Sequence, residues 1–108
     1  MVKVIIEYNN KGEVAGFCGQ GHASYAPHGE DIVCAAISVL LQTTLLGLLE
    51  VAGVTARYEK EEGNLTCKLN PEETGNEKAQ TLLQTMKLGL LQIEEDHPEY
   101  LVIREEEV

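Results

Sequence analysis

Ile32-Val33-Cys34-Ala35-Ala36-Ile37-Ser38-Val39-Leu40-Leu41-Gln42-Thr43-Thr44-Leu45-Leu46-Gly47-Leu48-Leu49 runs for eighteen residues without a charge. A stretch of this length approaches what a membrane-spanning helix needs. Cys34, Ser38, Gln42, Thr43, Thr44 and Gly47 interrupt it, and the remaining chain has the mixed patterning of a soluble domain. The reading that decides the fold is therefore a helix buried on most sides, with a second subunit covering part of it, rather than a membrane span. Gly29-Glu30-Asp31 supplies its start: Asp31 is expected to be the N-cap, and both acids suit the positive end of the helix dipole. Gly53 is expected to stop the helix after Glu50 or Ala52.

Working outward, Val2 to Tyr8 is rich in β-branched residues and reads as a strand. Asn9-Asn10-Lys11-Gly12 reads as a hairpin turn, with Glu13 to Cys18 as the returning strand. On the other side of the helix, Val54 to Lys60 and Asn64 to Leu69 form a second hairpin across Glu61-Glu62-Gly63. Asn70 to Glu73 caps a short turn, and Thr74-Gly75-Asn76-Glu77 reads as a capping box for a second helix. In that helix Ala79, Leu82, Leu83, Met86, Leu90 and Ile93 recur every three or four residues, the mark of one buried stripe. His97-Pro98 ends it, Tyr100 to Ile103 is a last short strand, and Arg104 to Val108 is a charged tail. The order ββαββαβ, without repeat or linker, predicts a single α+β domain over residues 1–108. Its sheet is mainly antiparallel, with two helices, the first largely apolar and buried.

Composition narrows the function classes. With 44% hydrophobic residues in a chain of 108, one phenylalanine (Phe17) and no tryptophan, the core must be aliphatic. A net charge of −10 argues against direct nucleic-acid binding, which demands clustered Lys and Arg, and suits a basic partner instead. Cys18, Cys34 and Cys67 are odd in number and widely spaced, and Met1 to Ile6 lacks a signal-peptide layout. Both point to thiols in a reducing cytoplasm. Neither a P-loop nor a complete dinucleotide fingerprint is present, so no cofactor is expected.

The chemistry concentrates between residues 21 and 38. A cysteine on an apolar helix is ordinarily a small hydrophobe, but Cys34 lies where the helix field favours the thiolate. The acids at 30 and 31 oppose that ionisation, so a cationic partner would help. His22 is the natural partner, flanked by Gly21 and Ala23, whose small size permits close approach; His28, beside Pro27 and Gly29, competes for the role. Such a pair would act as thiolate and imidazolium, with the histidine protonating the leaving amine. Asp31 reads first as a cap and second as a group orienting His22. Ser38, one turn after Cys34, reads either as a hydrogen-bonding neighbour of the thiol or as back-bonded to its own helix. N–H groups at the helix start are the obvious oxyanion donors. Cys18, His22, His28 and Cys34 are permitted zinc ligands, but their spacing lacks the close pairs of structural sites, so no metal is expected.

Gly21-His22-Ala23 followed by Gly29-x-Asp31-x-Val33-Cys34-Ala35-Ala36-x-Ser38 closely resembles the signature of the ribosomal-processing cysteine protease family, Prp. The similarity extends over the whole chain. It implies a homodimeric cytoplasmic endopeptidase that removes a short N-terminal extension from the large-subunit ribosomal protein twenty-seven. His22 would be base and acid, Cys34 the nucleophile, and Asp31 and Ser38 supporting residues. Gly21, Ala23, His28 and Gly29 would belong to a loop that orders around the peptide. A different class of reading is a non-catalytic, ribosome-associated binding or regulatory module that keeps the thiol for packing.

Overall fold

The computed structural model describes residues 1–21 and 30–108, the side chains of Glu30 and Asp31 excepted. Strands β1 (Val2–Tyr8) and β2 (Val14–Gln20) precede helix α1 (Glu30–Glu50). Strands β3 (Ala56–Glu61) and β4 (Asn64–Leu69) follow, then a 3-10 turn (Pro71–Glu73), helix α2 (Glu77–Asp96) and strand β5 (Leu101–Glu107). The five strands form one sheet in the order β3-β4-β2-β1-β5. Three neighbouring pairs are antiparallel, and β5 joins β1 in parallel, with Val2 opposite Leu101 and Tyr8 opposite Glu107. The segment expected as a charged tail is thus the second half of a strand. Glu105 to Glu107 stay exposed there because an edge strand hydrogen-bonds through its backbone whatever its side chains.

Both helices cover the same face of the sheet. Val2, Val4 and Ile6 of β1, Phe17 of β2, Leu65, Cys67 and Leu69 of β4 and Leu101 of β5 form that face, all buried. Helix α1 supplies Val33, Cys34, Ile37, Leu41, Leu45 and Leu48, and α2 supplies Ala79, Leu83, Met86 and Leu90. By length and composition Ile32–Glu50 would serve as a membrane span, yet this inner stripe packs as a core helix does. Its outer side is apolar as well: Ile32, Val39 and Leu46 are each more than half exposed. The two helices approach closely where Gly89 faces Leu40. A Cβ at residue 89 would lie 2.9 Å from a Leu40 methyl carbon, so the leucine occupies the space a side chain would take.

Polar side chains fasten the remaining edges. Asn9 Oδ1 accepts from the N–H groups of Lys11 and Glu13, closing the first hairpin turn. The second helix is capped by Asn76, whose Oδ1 accepts from Ala79 N at 2.9 Å, rather than by Thr74 of the expected capping box. Thr74 is buried and engaged elsewhere, its hydroxyl lying within 3.1 Å of Glu13 Oε1 and 3.2 Å of Pro71 O. Hydrogen bonds from Asn9 and then Thr74 hold the Glu13 carboxyl below its usual range. Gln80 of α2 acts as a surrogate strand residue. It accepts from Val14 N at 3.0 Å and donates to Val14 O at 2.9 Å and Thr74 O at 2.8 Å.

That threefold attachment makes Gln80 measurable. Gln80→Ala leaves three partly buried backbone groups without partners and should lower unfolding stability by about 1–3 kcal/mol in urea titration. Gln80→Glu keeps the acceptor for Val14 N–H but loses both donations, and should be no more stable than wild type.

Candidate active site

Helix α1 begins at Glu30, so Asp31 is its second residue and not its N-cap; the capping position falls before Glu30, outside the described residues. Acidic residues suit both a cap and a first helical turn, which is why the sequence did not separate the two. Cys34 is therefore the fifth helical residue. Helical side chains lean toward the N-terminus, so its thiol lies over the first turn, whose N–H groups have no partner within the helix. Cys34 is 4% exposed, on the stripe it shares with Ile37 and Leu41.

One turn on, Ser38 is half-buried. Its Oγ accepts a hydrogen bond from Gln42 Nε2 at 2.7 Å. Gln42 Oε1 in turn accepts from Lys60 Nζ of β3 at 2.7 Å. Ser38, Gln42, Lys60, Glu61, Glu62, Gly63 and Leu65 line a cleft of about 180 Å³ between α1 and the β3–β4 turn. Gln42 and Lys60 were not singled out from the sequence. A signal for Gln42 exists, since positions 34, 38 and 42 repeat every four residues as a polar line on an apolar helix. Lys60, on a different element, has no such local signal.

The same turn anchors the start of the histidine segment. Gly21 N–H donates to Gly63 O at 2.8 Å, directly after β2 ends. Its φ is +86°, and a Cβ there would lie 2.8 Å from Met1 O, so only glycine fits. The chain thus leaves the sheet beside the cleft, one residue before His22. His22, Ala23, His28 and Gly29 lie outside the described residues. The described geometry brings together Ser38, the cleft and the root of the segment that leads to His22, with Cys34 one helical turn before Ser38 on α1.

The other two cysteines occupy different chemical settings. Cys67 is fully buried on the inner face of β4, and burial pushes its thiol up to about 11. Cys18 lies in register with Ile5 and Thr66 on the outer face, its Sγ 3.5 Å from Thr66 Oγ1. The sheet stands between Cys18 and Cys34, so these two thiols face different sides of it. The three cysteines are thiols and form no disulfide.

Comparison with known proteins finds relatives of the whole chain. A family model described as cysteine protease Prp matches residues 1–102. The ribosomal processing cysteine protease Prp of Staphylococcus aureus is 30% identical over 99 residues, 92% of this chain and 93% of the relative. A crystal structure of an essential ribosomal processing protease Prp from S. aureus with a substrate peptide superposes with a TM-score of 0.89. It is 28% identical and covers 97% of this chain and 99% of the other. A second S. aureus structure, with a covalently linked product peptide, gives a TM-score of 0.85 at 29% identity and the same coverage.

The raised Cys67 thiol carries a pH signature. Folding favours its neutral form, so the stabilisation is complete below the unfolded thiol value of ~8.5 and declines as pH rises from there toward 11. Urea midpoints should fall between pH 8.5 and 10.5, and Cys67→Val should flatten that decline. In the folded protein at pH 7.5, Cys67 should resist iodoacetamide by peptide mass analysis.

Proposed function

Because the chain belongs to the cysteine protease Prp family and is a cysteine-type endopeptidase, we propose that it removes the N-terminal extension of the large-subunit ribosomal protein twenty-seven with a Cys34–His22 dyad. The observation that supports this reading is the position of Cys34 in α1, four residues before the cleft residue Ser38, with Gly21, directly before His22, bonded to Gly63 of the same cleft. The covalently linked product in the S. aureus relative supports a covalent intermediate.

The step is acyl transfer. Cys34 thiolate attacks the scissile carbonyl, and first-turn N–H groups hold the oxyanion. His22 gives its proton to the departing amine as the C–N bond breaks. It then takes a proton from water, which attacks the thioester and releases the acid with the thiol restored. Asp31 and Ser38 support the dyad, and Gly21, Ala23, His28 and Gly29 form the segment that closes on the peptide. A net charge of −10 favours a basic ribosomal protein precursor over nucleic acid. Thiols without a disulfide suit a reducing cytoplasm.

The same reading makes the protein a homodimer. Ile32, Val39 and Leu46 recur every seven residues on the outer side of α1, an exposed apolar stripe that a second copy of the helix would cover.

Two experiments test these proposals. Incubated with the extended ribosomal protein, wild type should cleave it, while Cys34→Ala and His22→Ala should each lose at least about a thousandfold in rate. Cleavage that survives Cys34→Ala would overturn the dyad. In sedimentation, Val39→Glu should convert a dimer to a folded monomer; a wild-type protein that sediments as a monomer at micromolar concentration would overturn the dimer.

A further inference from the structure

The hydrogen-bonded line from Lys60 through Gln42 to Ser38 has a direction, and we propose that Gln42 and Lys60 are positioning residues that fix the Ser38 hydroxyl as a donor toward Cys34, one turn earlier on α1. The proposal rests on the reading of Cys34 as the nucleophile and extends it to groups on a second element.

Lysine ammonium donates and never accepts. The Gln42 atom 2.7 Å from Lys60 Nζ must therefore be the carbonyl oxygen, which removes the usual ambiguity between the amide's two ends. The amide nitrogen then faces Ser38 Oγ at 2.7 Å and donates to it. An oxygen that accepts this hydrogen bond has its own hydrogen to place elsewhere. Gln42 approaches from the C-terminal side, and helical side chains lean toward the N-terminus, so that hydrogen is directed back along α1. Cys34 stands four residues earlier on the same face. A hydroxyl donating there stabilises negative charge, on the thiolate or on a peptide oxygen seated beside it. Glu61 and Glu62 line the same cleft. Their negative charge opposes a thiolate, which makes a donor of fixed polarity useful there.

Gln42→Glu tests polarity rather than shape. Glutamate is acceptor-only when ionised, so it keeps Lys60 as an ion-pair partner but takes the Ser38 hydrogen for itself. With a peptide spanning the extension junction as substrate, Gln42→Glu should lower kcat about tenfold with KM within about twofold, and the melting temperature should not fall. The pH midpoint of Cys34 alkylation by iodoacetamide should move upward. Lys60→Arg, which preserves the donor, should retain the wild-type kcat, and Lys60→Met should lose part of it. In a Ser38→Ala background Gln42→Glu should cost nothing further. Wild-type kcat and alkylation profile in Gln42→Glu would overturn the relay, as would an equal loss in the Ser38→Ala background. Peptide cleavage by Cys34→Ala would instead overturn the nucleophile assignment beneath it.

Discussion

One stripe of helix α1 must be kept from water, and most of the molecule is arranged around that requirement. Val33, Cys34, Ile37, Leu41, Leu45 and Leu48 all turn to the sheet. Burying a large aliphatic side chain contributes about 1.5–3 kcal/mol, so this face alone outweighs any single polar contact in the protein. The thiol proposed as nucleophile sits on the same stripe. Its rotation about the helix axis is set by Ile37 and Leu41 packing on β4 and its neighbours. Repacking the core would therefore move the chemistry.

Polar contacts do a different job. The hydrogen bonds of Gln80, Thr74, Asn9 and Glu13 are individually too weak to drive folding, but they are directional. Together they fix where β2 begins relative to α2. At the same end of β1, Lys87 of α2 pairs with Glu105 of β5 and donates to Tyr8 OH at 2.9 Å. These contacts set register while the aliphatic core supplies the free energy.

Hydrophobic periodicity made the element order legible. The β-branched run of Val2 to Tyr8, the uncharged run of α1 and the Ala79 to Ile93 stripe of α2 each have one dominant local signal. Ends were harder. Asp31 suits a cap as well as the first helical turn that it occupies, and Thr74 and Asn76 are both capping residues, a choice decided by contacts such as the Thr74 bond to Glu13. The strand character of Arg104 to Glu107 was hidden because it depends on a partner about a hundred residues away. At the site, Cys34 and Ser38 were visible from spacing. Lys60 was not, because the fold brings it to α1 from β3.

That distant partner has a bearing on how the chain assembles. The pairing of Val2 with Leu101 closes nearly the whole sequence into one loop, whereas both hairpins join near neighbours. Loop-closure entropy disfavours early formation of so long a contact, so the hairpins and helices can organise before the sheet is sealed. Until β5 docks, β1 presents an unpaired edge of seven residues that include Val2, Val4 and Ile6. During synthesis that edge stays open until β5 has left the ribosome, which makes β5 the latch of the fold as well as one of its edge strands.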